Sequence, residues 1–154
     1  MQRKMRSKAY IKGGPLAPNL TGAVYFDEIN GGTWITVDIK GLPEVTRKDG
    51  KFIGPFGFHI HEGGTCEIGN PQDPFQRAGG HYNPYKQPHG MHAGDLPVLF
   101  SNGGNFKLSF YTDKFTPYDI IGKTVIIHES PDDYRTEPSG NSGRRLACGK
   151  IVKA

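Results

Sequence analysis

The stretch Gly57-Phe58-His59-Ile60-His61-Glu62 determines how the rest of the chain is interpreted. Side chains two residues apart on a β-strand point to the same face of the strand. A strand here therefore turns Phe58 and Ile60 toward a core, while His59 and His61 project together from the opposite side. Two neutral imidazoles at this spacing form half of a site for zinc, copper or a similar metal. Two surface histidines would give the same pattern, so the choice between a metal site and a solvated surface depends on the rest of the sequence.

Length and composition favour one all-β domain. The 154 residues are enough for one domain with a hydrophobic core and too few for two domains of usual size. The 22 glycines and 12 prolines are typical of short strands joined by many turns. The net charge is +4, but the basic residues are dispersed along the sequence, which predicts a solvated surface and no nucleic-acid partner. No apolar run approaches the length of a membrane span, so we expect no membrane partner.

The amino-terminal residues predict a tail and leave the compartment open. Residues 1–7 are expected to form a flexible basic tail, and residues 8–154 a single domain. Residues 1–12 contain no apolar segment of the kind found in secretory signals. The expectation is therefore a cytoplasmic protein, or an extracytoplasmic one whose leader has been removed.

Eight short strands can be predicted from alternating hydrophobicity and turn residues. The clearest is 34–40, where Ile35, Val37 and Ile39 alternate with polar residues. The eight segments are 8–12, 21–28, 34–40, 56–62, 96–100, 106–111, 123–128 and 145–152. Residues 44–54 are expected to be a polar connection, and 63–94 and 129–143 long loops. This pattern predicts an antiparallel sandwich or flattened barrel.

The six histidines are concentrated in one part of the chain. None occurs before His59, and all six lie at predicted strand ends or in the Gly/Pro-rich loop 63–94. Independent surface histidines would be scattered along the whole chain. A loop as long as 63–94 needs a source of order, and a bound metal would supply one. The two cysteines, Cys66 and Cys148, form no CxxC motif, and they are either two free thiols or one long-range disulfide.

Five runs of sequence, taken in order, resemble the copper,zinc superoxide dismutase family. They are residues 57–62, 78–84, 92–97, 122–129 and 140–149. The similarity extends from about residue 8 to the carboxyl terminus, and the spacing within 61–66 resembles bacterial members. The resemblance implies an eight-stranded antiparallel Greek-key barrel with long metal-binding and active-site loops.

The resemblance also implies a role for each candidate site residue. The copper ligands would be His59, His61, His81 and His128, and the zinc ligands His81, His89, His92 and Asp95. His81 would thus bridge both metals. Asp132 would link a copper histidine to a zinc histidine, and Arg145 would guide the anion beside copper. Cys66 and Cys148 would form the disulfide that ties the metal loop to the last strand.

The activity implied is the conversion of superoxide to oxygen and hydrogen peroxide at a copper that cycles between two oxidation states. Arg145 would hold the anion by a charge-assisted hydrogen bond, and His81 could deliver a proton. The alternative is a dismutase-like domain that binds zinc or copper for storage, delivery or stability. Such a relative would be expected to have lost a copper ligand or the arginine, and all are present here. Family members are often homodimers, so we expect a homodimer, and this expectation rests on analogy with the family alone.

The sequence departs from the family in two connections. Only Gly90 and Met91 separate His89 from His92, so the zinc subloop is shortened. These histidines can still converge if the backbone turns at Gly90, and a distorted, weaker or differently ligated zinc site is the other expectation. The connection 44–54 is longer than usual for the family.

Overall fold

The computed structural model describes residues 4–154 and shows an all-β architecture, as predicted. Its strands are β1 Arg6–Gly13, β2 Thr21–Ile29, β3 Gly32–Lys40, β4 Thr46–Lys48, β5 Lys51–Ile53, β6 Phe58–His61, β7 Phe106–Thr112, β8 Thr124–His128 and β9 Arg145–Lys153. A short 3-10 helix spans Gln76–Ala78. Among the described residues, no helix is long and apolar enough to cross a membrane.

Seven strands form one antiparallel sheet that curls around a single core. Their order is β6-β8-β9-β1-β2-β3-β7, and β4 pairs with β5 in a separate hairpin. The alternation of buried and solvent-facing side chains predicted for β3 is confirmed, because Ile35, Val37 and Ile39 are all buried in the core. Phe58 and Ile60 of β6 join the same hydrophobic cluster. The connection from β3, next to the β7 edge, leads to β6 at the opposite edge of the sheet, as in a Greek key.

The predicted strand 96–100 is wrong as a regular strand. Within it only Leu99 forms a bridge, an isolated antiparallel one with Phe56, and a second isolated bridge joins the preceding residue, Asp95, to His59. Pro97 lies between them and has no N–H to donate to a ladder, which explains why the pairing is interrupted. The segment then leads into β7, so it connects the two edges of the curled sheet.

Two further boundaries differ from expectation. Arg6 and Ser7, expected in the tail, belong to β1. The side chain of Ser7 is buried, and Nε of Arg6 forms an ion pair with Oδ1 of Asp27 at 2.9 Å. Residues 1–3 of that tail lie outside the described part of the chain. The expected polar connection contains the β4–β5 hairpin, which reverses at Asp49-Gly50, both with positive φ. An Asp-Gly turn is a readable hairpin signal that the sequence interpretation overlooked.

Candidate metal centre

Strands β6 and β8 carry three of the six histidines to one place. The strands pair antiparallel, with His59 opposite Ile126 and His61 opposite Thr124. His128 ends β8, where its N–H donates to the carbonyl of Gly57 at 2.7 Å. His59 and His61 are at most 1% exposed, so the two long loops cover the face that carries them.

The first cluster consists of His59, His61, His81 and His128. Each offers one ring nitrogen, and these atoms all lie within 4.8 Å of one another. Nδ1 of His59 and Nε2 of His81 are buried without any hydrogen-bond partner. Nε2 of His61 lies 3.2 Å from Nε2 of His128. Because a buried unpaired polar atom is costly, the convergence of these nitrogens fits a cation at their centre.

The opposite nitrogens of three of these rings bind acceptors. Nδ1 of His61 lies 2.8 Å from the carbonyl of Gly79, and Nδ1 of His128 lies 3.2 Å from that of Gly143. Nε2 of His59 lies 2.6 Å from Oδ2 of Asp132. Each acceptor holds the ring proton on its own side, so the nitrogen facing the cluster keeps a free lone pair.

Burial keeps these imidazoles neutral. It lowers the pKa of His59 and of His61 well below the usual value of a histidine, and neighbouring rings lower it further. Burial lowers the pKa of His128 to about 3. Neutral imidazole is the form that binds metals, so the environment favours ligation over protonation.

The second cluster consists of His81, His89, His92 and Asp95, whose ligand atoms again lie within 4.8 Å of one another. Nδ1 of His81 lies 2.9 Å from Oδ1 of Asp95 and 3.1 Å from Nδ1 of His92. Nδ1 of His89 is buried without a hydrogen bond, 3.4 Å from Oδ2 of Asp95. Burial by itself would raise the pKa of Asp95, but the hydrogen bond from His81 and the nearby imidazoles lower it.

The shortened zinc subloop turns at Gly90, which has a φ of +88°. The N–H groups of Gly90 and His92 both donate to Oδ2 of Asp95, at 2.8 and 2.9 Å. This turn brings His89 and His92 to the same cluster despite the two-residue spacing between them. The geometry is therefore the convergent one of the two that the sequence allows.

Asp132 connects the two clusters. Its side chain is fully buried, with Oδ2 at 2.6 Å from Nε2 of His59 and Oδ1 at 2.7 Å from Nε2 of His89. Gly140 packs directly against it, where a Cβ atom would collide with the carboxylate. Asp132 thus orients one histidine of each cluster.

A cavity of about 340 Å³ opens above the first cluster. Its lining includes His81, His128, Lys51, Arg144 and Arg145. Arg145 donates from Nη1 to the carbonyl of Phe75 at 2.8 Å and from Nη2 to that of Gly79 at 2.7 Å. A guanidinium has five N–H donors, so three remain after these bonds fix its plane.

Cys66 and Cys148 form a disulfide, with Cα atoms 5.6 Å apart, and so tie the long loop to β9. Lys51 was not a candidate, and it reaches the cavity from the β4–β5 hairpin. Only the position of that hairpin brings Lys51 there, so no local pattern in the sequence could have identified it.

The two donor sets suit different ions. Four imidazoles without a carboxylate suit a borderline transition metal such as copper. Three imidazoles and one carboxylate are a common closed set for zinc.

Comparisons with known proteins agree with this chemistry. Residues 20–151 match the family model described as copper/zinc superoxide dismutase (SODC). "Superoxide dismutase [Cu-Zn] 2" of Aquifex aeolicus is 36% identical over 139 residues, which are 80% of this chain and 74% of that protein. "Superoxide dismutase [Cu-Zn]" of Deinococcus radiodurans is 34% identical over 147 residues, 84% of this chain and 76% of that protein.

A solved structure is similar along most of the chain. The double mutant of a SOD-like protein from Bacillus subtilis, in which a tyrosine and a proline are replaced by histidine, superposes with a TM-score of 0.74 at 32% identity. The similarity covers 94% of this chain and 96% of that one. The match of the family model to most of the sequence, together with these relatives, shows that the chain belongs to the copper/zinc superoxide dismutase family.

Proposed function

We propose that this protein is a superoxide dismutase that holds catalytic copper in the first cluster and structural zinc in the second. The observation that carries the proposal is the position of His81, which belongs to both clusters. Its buried Nε2 has no partner and faces the first cluster, while its Nδ1 faces Asp95 in the second. One imidazole between two cation sites suits the chemistry of the copper/zinc superoxide dismutase family.

Bound copper supplies the one-electron redox chemistry by which one superoxide is oxidised to oxygen and a second is reduced to peroxide. The residues around the cavity serve the anion. Arg145 would bind superoxide through the N–H groups that its two carbonyl partners leave free. Because its plane is already fixed, little side-chain entropy is lost when the anion arrives.

His81 is the residue suited to proton delivery. His81 lines the cavity. Of its two ring nitrogens, Nε2 is the one that has no hydrogen-bond partner. A neutral His81 whose Nδ1 is held on the zinc side would carry its proton at Nε2, beside the reduced substrate. His81 and Arg145 are therefore the catalytic residues of the proposal.

The other candidate is a dismutase-like protein that binds metal without turnover. One similar solved structure, from Bacillus subtilis, is described only as that of a SOD-like protein. In this chain His59, His61, His81, His128 and Arg145 are all encoded, and the four imidazoles converge. The observations therefore favour the enzyme. A homodimer, and the absence of nucleic-acid and membrane partners, remain part of the proposal.

The test is superoxide consumption by protein loaded with copper and zinc, with zinc-only protein as the inactive control. We expect His128→Ala to lose at least about 100-fold in activity, because it removes one ligand of a four-ligand set. Circular dichroism should show that its fold is retained, since the core and the disulfide are unchanged.

Two results would count against the proposal. Full copper occupancy without superoxide consumption would favour the non-catalytic alternative. Normal activity of His128→Ala would show that the copper assignment is wrong.

A further inference from the structure

A long-range hydrogen bond joins the shortened zinc subloop to the loop 129–143. The backbone N–H of His89 donates to Oε1 of Glu137 at 2.6 Å, across 48 residues of sequence. Glu137 itself belongs to neither cluster. The bond is charge-assisted, and bonds of this kind are about twice as strong as neutral ones.

The bond completes the backbone hydrogen bonding of the subloop. Asp95 accepts the N–H groups of Gly90 and His92 through one carboxylate oxygen. The carbonyl of Pro88 accepts the N–H of Met91, and Glu137 accepts the N–H of His89, a residue only 4% exposed. A buried N–H without a partner is costly, so the subloop needs this acceptor to keep its conformation.

The same loop contacts the subloop at two further places. The carbonyl of Tyr134 packs so closely on Gly90 that a Cβ there would lie 2.1 Å from its oxygen. Gly140 packs on the His89 ring and on Asp132 in the same way. Tyr134 is itself anchored, because its hydroxyl accepts the N–H of Val98 at 2.9 Å. The two loops therefore form one packed unit.

This unit extends to the cavity above the first cluster. Pro138, Ser139 and Gly143, which follow Glu137 along the chain, all line that cavity. A change in the orientation of the subloop would therefore move the wall of the cavity, because Glu137 and the residues directly after it connect the two.

We propose that Glu137 is a positioning residue that holds His89 in its zinc-binding orientation and couples zinc binding to the order of residues 132–140. The inference rests on the proposed zinc site and adds a determinant outside the ligand set. Coupling of this kind is reciprocal: the loop raises the affinity for zinc, and zinc raises the stability of the loop.

The experiment measures zinc affinity of the copper-free, disulfide-bonded protein by competition with a coloured chelator. We expect Glu137→Ala to bind zinc about 10-fold more weakly, the usual cost of removing a group that orients a ligand. Glu137→Gln should lose less affinity than Glu137→Ala, because its amide oxygen still accepts the His89 N–H although the charge is gone. Glu44→Ala is the matched control, since it removes an exposed carboxylate from a different part of the chain.

Hydrogen exchange provides a second readout that does not depend on activity. In the wild type, zinc should slow amide exchange across residues 132–140, and in Glu137→Ala this protection should be largely lost. Thermal unfolding of the zinc-free variants shows whether they are folded. If Glu137→Ala is not folded, Glu137→Asp replaces it, because the shorter side chain cannot span the same distance and should also weaken zinc binding.

The outcomes separate the inference from the proposed function. Wild-type zinc affinity in Glu137→Ala or Glu137→Asp overturns the role of Glu137, and so does an equal loss in Glu44→Ala. A wild-type protein that does not bind zinc overturns the zinc assignment itself.

Discussion

Gly90 is the residue on which the geometry of the shortened zinc subloop depends. It has a φ of +88°, and the carbonyl oxygen of Tyr134 occupies the place where a Cβ would be. A residue with a side chain would meet both the strain of a left-handed backbone and a collision with the neighbouring loop. Glycine at this position therefore lets the subloop be short.

Gly90→Ala is expected to destabilise the protein by about 1–3 kcal/mol and to weaken zinc binding. Urea unfolding and zinc titration would measure the two effects. Gly31→Ala is the matched control, because Gly31 has a similar φ of +79° but no atom within 4 Å of a built Cβ. Equal effects of the two substitutions would contradict a specific role for the contact with Tyr134.

Individual residues also mark where sequence interpretation succeeded. Alternation along 57–62 predicts that His59 and His61 share a face, and their nitrogens do meet in one cluster. The cluster of histidines after residue 59 predicts a metal site, because these side chains are the donors that such ions require. The turn at Gly90 was readable as a condition for convergence.

Among the elements, the long loop 63–94, which contains Cys66, Phe75 and Gly79, is tied to strand β9 by a disulfide and by hydrogen bonds. The disulfide between Cys66 and Cys148 closes a loop of 82 residues. The same loop supplies the carbonyls of Phe75 and Gly79 that fix Arg145 on β9. The cross-link and these hydrogen bonds therefore join the same two elements.

Replacing both cysteines, as Cys66→Ala with Cys148→Ala, should lower the free energy of unfolding by roughly 4–5 kcal/mol, the loop-entropy value for a loop of this length. Urea unfolding of the metal-free protein measures it. Wild-type protein unfolded in the presence of a thiol reductant should match the double variant. A loss below about 1 kcal/mol would contradict the loop-entropy explanation.

The elements that were mispredicted have local reasons. The segment 96–100 has the hydrophobicity of a strand, yet Pro97 interrupts its pairing and leaves one isolated bridge, at Leu99. The β4–β5 hairpin carries mostly exposed residues, so its strands lack the apolar alternation that identified the others. Its Asp49-Gly50 turn was the remaining signal.

In the molecule as a whole, several histidines are buried together in neutral form. Burial lowers the pKa of His59 and His61 well below the usual 6.5, and that of His128 to about 3. The unfolded chain therefore binds more protons than the folded chain as the pH falls below 6.5. Under linkage, the metal-free protein loses stability across that range, down toward the pKa of the folded state.

We expect the urea midpoint of the metal-free protein to fall steadily from pH 7 to pH 4. Asp95, whose pKa is also lowered, adds to the loss only below its unfolded value of about 3.8. Metal-loaded protein should resist unfolding down to a lower pH, because protons must displace the metals. The His128→Ala variant has one such histidine fewer and should show a shallower slope. A midpoint independent of pH over this range would contradict the prediction.

The local pattern of the chain was enough to define its donors and its class. Hydrophobic alternation, glycine and proline turns and the positions of six histidines predict an all-β metal protein, since each of these signals lies within a few residues. Folding alone decided which nitrogen of each ring stays free, that Asp132 joins both clusters, and that Glu137 and Lys51 lie beside them. The hydrogen bonds of Asp132 and Glu137 to these histidines join residues 43 to 73 positions apart, and their distances depend on strand pairing and loop packing that no short stretch of sequence specifies.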